Sequence, residues 1–112
     1  MIIYFNPECS KCNQALDLLK QQHCELDIRN YLNEPPTNLE LKDLLQKLQC
    51  KAIDIVRKKE PLFTQNYEGK SFSYQEWLEI LCKNPILIER PIVINGNKAI
   101  VGRPPHLVLD II

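Results

Sequence analysis

Apolar and polar residues follow two rhythms along this chain, and the switches between them outline its elements. Met1–Phe5 is a short apolar run stopped by Asn6-Pro7, a turn signal, and it predicts a buried strand. Cys12, Ala15, Leu16 and Leu19 then recur at i, i+3, i+4 and i+7, which predicts a helix with one face turned inward. Leu26, Ile28 and Asn30 alternate with Asp27, Arg29 and Tyr31, predicting a second strand over roughly 25–31. Strand, helix and strand in so short a length imply a right-handed parallel unit.

Pro35-Pro36 breaks the pattern, and a helical rhythm resumes. Thr37 to Glu40 matches a capping box ahead of the apolar stripe Leu41, Leu44, Leu45 and Leu48. A short helical piece is expected over 52–58 and a loop over 61–70. Ser73 to Glu76 offers a second capping box, with Tyr74, Leu78, Leu81 and Cys82 along one side of the helix it opens and Asn84-Pro85 ending it. Pro91–Ile94 reads as a strand, Asn95-Gly96 as a hairpin turn and Lys98–Val101 as the returning strand. Gly102-Arg103-Pro104-Pro105 leads into a last helix that buries Leu107, Val108 and Ile111. The order is β-α-β, a helical insertion over about 36–84, then β-β-α, within one domain spanning 1–112.

Composition narrows the function classes. A chain of 112 residues, 45% apolar and 25% charged, forms a core without staples. Lys+Arg and Asp+Glu both number 14, so no overall field draws nucleic acid or a membrane surface, and any anion site has to be made locally. No apolar stretch approaches the roughly 20 residues of a membrane span, and no signal peptide is recognised. Five cysteines with one closely spaced pair do not read as a secreted disulfide framework, and a reducing cytoplasm is expected.

That one pair, Cys9 and Cys12, carries the chemistry. A strand that delivers a cysteine to a helix N-terminus sets its sulfur near unpaired backbone N–H groups and the positive end of the helix dipole. Both favour thiolate, the form that attacks sulfur or the central atom of an oxyanion. A zinc site from Cys9, Cys12, His23 and Cys24 is disfavoured because adjacent His-Cys is not a usual chelating pair and no second C-x-x-C follows. Cys24, Cys50 and Cys82 read as structural, and His23 and His106 as solvated surface residues.

Four segments, IIYFNPECSKC, NYLNEPPT, DIVRKKEP and LIERPIVINGNKAIVGRPPHLVLDI, resemble the glutaredoxin-coupled arsenate reductase family over nearly the whole chain. The resemblance implies a thioredoxin-like α/β fold with a mixed four-stranded sheet. It implies Cys9 as the nucleophile, and Arg57, Arg90 and Arg103 as the oxyanion ligands. It places Pro91 where thioredoxin folds carry a cis-proline facing the active cysteine. No bound cofactor or metal is implied. Glutathione is the expected co-substrate, glutaredoxin the expected partner and a monomer the simplest state.

Guanidinium forks suit a tetrahedral oxyanion better than ammonium groups do. Phe5 stands where these reductases place a histidine, and Glu8 sets a carboxylate beside the nucleophile. Cys12 is either a resolving thiol that attacks a mixed disulfide at Cys9 or a small buried hydrophobe. Two other functions share the sequence features: an Spx-like redox-sensing transcription regulator and a general C-x-x-C thiol–disulfide oxidoreductase.

Overall fold

The computed structural model describes residues 1–112, which divide into two compact units, Met1–Glu34 with Arg90–Ile112 and Pro35–Glu89. The first unit holds the sheet. Its strands are β1 (Ile2–Phe5), β2 (Asp27–Asn30), β3 (Ile92–Asn95) and β4 (Lys98–Val101), in the spatial order β2-β1-β3-β4. β1 and β2 are parallel, joined through helix α1 (Ser10–Gln21), while β3 runs antiparallel to both β1 and β4. This is a thioredoxin-like α/β arrangement with a mixed four-stranded sheet.

Ile3 and Val93, paired across β1 and β3, meet Ala15, Leu16 and Leu19 of α1 and Val108 and Ile111 near the C-terminus in one buried cluster. The stripe expected from the sequence is the face that α1 buries. Each large aliphatic side chain withdrawn from water there contributes about 1.5–3 kcal/mol. Gly96 takes a left-handed φ of +60° in the tight turn between β3 and β4, a conformation that glycine adopts without a Cβ penalty.

One expectation for this unit is corrected. The last helix is a 3-10 segment, Pro105–Ile111, in which Leu107 is only half-buried while Val108 and Ile111 are buried. On β2, Ile28 is 45% exposed, while Tyr31, just past the strand's end, is fully buried. β2 is an edge strand, so alternation alone does not say which of its sides is covered.

The second unit is helical: α2 (Asn38–Leu48), α3 (Pro61–Asn66), α4 (Tyr74–Lys83) and 3-10 segments at Ala52–Ile55 and Pro85–Leu87. Both capping boxes form, Thr37 Oγ1 accepting from the Glu40 N–H at 3.2 Å and Ser73 Oγ from the Glu76 N–H at 3.2 Å. The stretch read as a loop over 61–70 contains α3, which Pro61 opens and whose Phe63 ring stacks on Trp77 with centroids 6.4 Å apart. Tyr74 is exposed, and Trp77 takes the inner face of α4 with Leu78 and Leu81. The short helical piece expected over 52–58 ends at Ile55, because Val56 pairs as an isolated bridge with Ile88. No helix is long and apolar enough to cross a membrane.

Candidate active site

Cys9 is the N-cap of α1, in extended backbone with φ −95° and ψ 118°. The turn that carries it is tied at several points. Asn6 accepts the Cys9 N–H on its backbone carbonyl at 3.0 Å and the Glu8 N–H on Oδ1 at 3.0 Å. From the first turn of the helix, the Asn13 amide donates back to the carbonyls of Pro7 and Cys9, each at 3.1 Å. The sulfur is thereby held at the end of β1, and the Cys9 residue is only 7% exposed.

Burial pushes the Cys9 thiol up. A hydrogen bond from the Arg90 guanidinium outweighs it, together with the backbone N–H and thiol of Cys12 and the Arg90 charge, and these bring the pKa down to about 7. Cys12 moves the other way: burial and then the adjacent Cys9 sulfur push it up to about 12, against the pull of the Asn6 backbone and Arg90. The pair is therefore split. Near neutral pH, Cys9 is about half ionised while Cys12 stays protonated, fully buried and in hydrogen-bond contact with it. Glu8 is exposed and is not among the dominant influences on the sulfur. Phe5 is half-buried and packs against the apolar cluster under the sheet.

Arg90 sits at the entrance to β3, and the Arg90–Pro91 peptide is cis, as is Arg103–Pro104. Burial works against its charge, and the influence of the Cys9 sulfur, with that of Tyr31, outweighs it and raises the Arg90 pKa. The Arg103 Nε donates to the Arg90 carbonyl at 2.6 Å. Beside it the Gly102 N–H donates to the Pro91 carbonyl at 2.8 Å. The two arginines of this unit are thus locked backbone to side chain.

Gly102 is where that lock is tightest. A Cβ there would lie 2.8 Å from Val108 Cγ1 and 2.9 Å from Pro91 Cγ. Gly102→Ala is therefore expected to cost about 1–3 kcal/mol through overpacking. A chemical denaturation curve reads the loss. An unchanged midpoint would show that the segment yields freely.

Arg57 lies in the helical unit. Its N–H donates to the Leu87 carbonyl at 2.7 Å, and its guanidinium pairs with Glu60 at 3.3 Å and Glu89 at 3.6 Å. His23 and His106 are exposed. Sequence reasoning missed Tyr31. The segment NYLNEPPT contains it, but alternation grouped it with Asp27 and Arg29, on the side away from Ile28.

The ArsC family model matches residues 4–111. Among curated proteins, the chain is 38% identical to an arsenate reductase of Haemophilus influenzae, covering 100% of this chain and 98% of that one. It is 40% identical to the uncharacterised protein YfgD of Escherichia coli K12, over 98% of this chain and 94% of that protein. Among solved structures, an arsenate reductase from Vibrio cholerae superposes with a TM-score of 0.95 at 38% identity, covering 99% of this chain and 96% of the other.

Proposed function

The chain belongs to the ArsC family, and from that premise we propose that it reduces arsenate to arsenite through a covalent adduct on Cys9. The observation that carries this reading is the Cys9–Arg90 contact. A thiolate approaching an anion is repelled unless a positive charge is shared between them. Arg90 meets that need, stabilising the sulfur anion before the oxyanion arrives and offering its remaining donors to the oxygens afterwards. Arg57 and Arg103 complete the ligand set by family resemblance.

In the proposed cycle the Cys9 thiolate attacks arsenic and an arsenic oxygen leaves as water, giving a sulfur–arsenic bond. Glutathione thiolate then attacks the Cys9 sulfur. The sulfur–arsenic bond breaks with its electron pair on arsenic, so arsenic gains two electrons and leaves as arsenite. The two sulfurs, oxidised together, remain as a mixed disulfide. A glutaredoxin thiolate attacks the glutathione sulfur and frees Cys9.

Arsenite formation in the presence of glutathione and glutaredoxin tests the proposal, and absence of turnover by the wild type overturns it. A disulfide exchanger using C-x-x-C alone needs no arginine beside its thiolate, so the Arg90 contact favours the oxyanion reading. In the same assay, Cys12→Ser is expected to keep activity within about threefold of wild type. With its pKa near 12, Cys12 is a hydrogen-bond donor to Cys9, a duty that a serine hydroxyl can share. Loss of turnover in Cys12→Ser would instead mark it as the thiol that resolves the mixed disulfide.

A further inference from the structure

We propose that the helical unit carries a second binding site: a cavity, lined by Lys51, Lys70, Phe72, Tyr74 and Trp77, that takes a small aromatic carboxylate. None of these residues takes part in the proposed reaction.

The cavity has a volume of about 480 Å³, within the range of sites that hold small molecules. Its lining comes from the stretch between Cys50, just after α2, and Trp77 on α4, inside one compact unit. The apolar part is braced. Phe72 and Trp77 meet edge to face, centroids 5.0 Å apart and planes 70° from parallel, so the two rings form a corner. Tyr67 packs against both, 5.8 Å from Phe72 and 6.2 Å from Trp77, and Phe63 stacks on Trp77 at 6.4 Å. A flat ring entering such a corner can stack on one aromatic and meet the other edge to face, the two arrangements that the ring quadrupoles favour. Trp77 is buried, whereas Tyr74 on the same lining is 43% exposed and leaves apolar surface for a ligand to cover.

The charge of the lining is one-sided. Lys51 and Lys70 bring two ammonium groups, and no carboxylate accompanies them. Neither lysine is in an ion pair, in contrast to Lys47, which holds Asp43 at 2.9 Å. Both stand on tied backbone: the Lys51 N–H donates to Asp54 Oδ2 at 2.9 Å, and the Lys70 N–H to the Tyr67 carbonyl at 3.2 Å. Asp54 lies outside the lining, although its charge acts on Cys50. Burial first and Asp54 second push the Cys50 thiol up, so at neutral pH the cavity offers no thiolate and holds its occupant without a covalent bond. Two unpaired ammonium groups beside an aromatic corner select a molecule that joins a flat ring to an anion. A neutral ring leaves the lysines unused, and an inorganic anion leaves the rings uncovered.

Trp77 is the chain's only tryptophan, so its fluorescence reports on this cavity. The probe is phenylpropionate, with phenylpropionamide as its uncharged counterpart, titrated into the full chain without arsenate or thiol. That readout stands apart from any failure of the proposed reaction. Phenylpropionate is expected to change the Trp77 emission saturably, with half-saturation at about 1 mM. The amide binds about three- to tenfold more weakly, and added salt narrows the gap. Lys51→Gln combined with Lys70→Gln makes the two ligands bind alike. Lys98→Gln, an equal loss of charge at an exposed position on β4, leaves the preference for the acid in place. Three results would each overturn the proposal: no saturable change in emission with phenylpropionate, an amide that binds wild type as tightly as the acid, or a preference for the acid that survives the double substitution.

Discussion

Cys9→Ser lowers arsenate turnover by about 10³-fold or more, the scale seen when a catalytic nucleophile is removed from an intact site. Serine keeps the position and size of the side chain and loses its ionisation: a hydroxyl stays protonated at a pH where the Cys9 thiol, with a pKa of about 7, is half thiolate. The fold should not suffer, because position 9 is the N-cap of α1 and serine is among the preferred N-cap residues. The variant is therefore expected to melt at or slightly above the wild-type temperature while producing almost no arsenite. The two measurements together isolate chemistry from stability. Arsenite production within tenfold of wild type would move the nucleophile elsewhere.

Arg90→Gln is expected to reduce kcat/KM at pH 7 by about 10³–10⁴-fold, from two sources. The first is ionisation. Burial already pushes the Cys9 thiol up; the Arg90 hydrogen bond is the largest opposing influence, followed by the backbone N–H and thiol of Cys12 and then the Arg90 charge. Without them the pKa rises toward or above the ordinary value of 9.0, leaving about one per cent thiolate at pH 7 and a loss of roughly fiftyfold. The second is the oxyanion itself, for which each charged hydrogen bond contributes about 1.5–3 kcal/mol. The sign of the pH dependence follows from the first. Wild-type activity rises with pH through about 7 and then levels, whereas the variant keeps rising into the alkaline range. Assaying both from pH 6 to about 9.5 tells them apart. Coincident inflections would mean that the arginine does not govern the thiol.

Much of this was legible because it is local. The α1 stripe of Cys12, Ala15, Leu16 and Leu19 depends only on helical periodicity and a covering sheet, and those four residues are the ones buried. Both capping boxes are contacts across three residues, so their sequence signature is nearly their structure. Side-chain choice across the tertiary fold was harder to read. On α4, Trp77 displaced Tyr74 from the inner face because its ring meets Phe63, Tyr67 and Phe72, residues from a segment read as loop and from the turn before the helix. On β2, an edge position made the polarity of the alternation ambiguous and hid Tyr31.

The candidate site divides along the same line. By itself the sequence determined that a C-x-x-C pair opens a helix after a strand, that arginines stand before Pro91 and Pro104, and that the segments follow the order of one family. Those are properties of neighbours along the chain. Only the tertiary structure decided which cysteine ionises more readily, and that the Arg103 side chain donates to the Arg90 carbonyl. Ionisation is set by burial and by charges nearby in space, and Arg90, far from Cys9 along the chain, acts on it only when the chain folds.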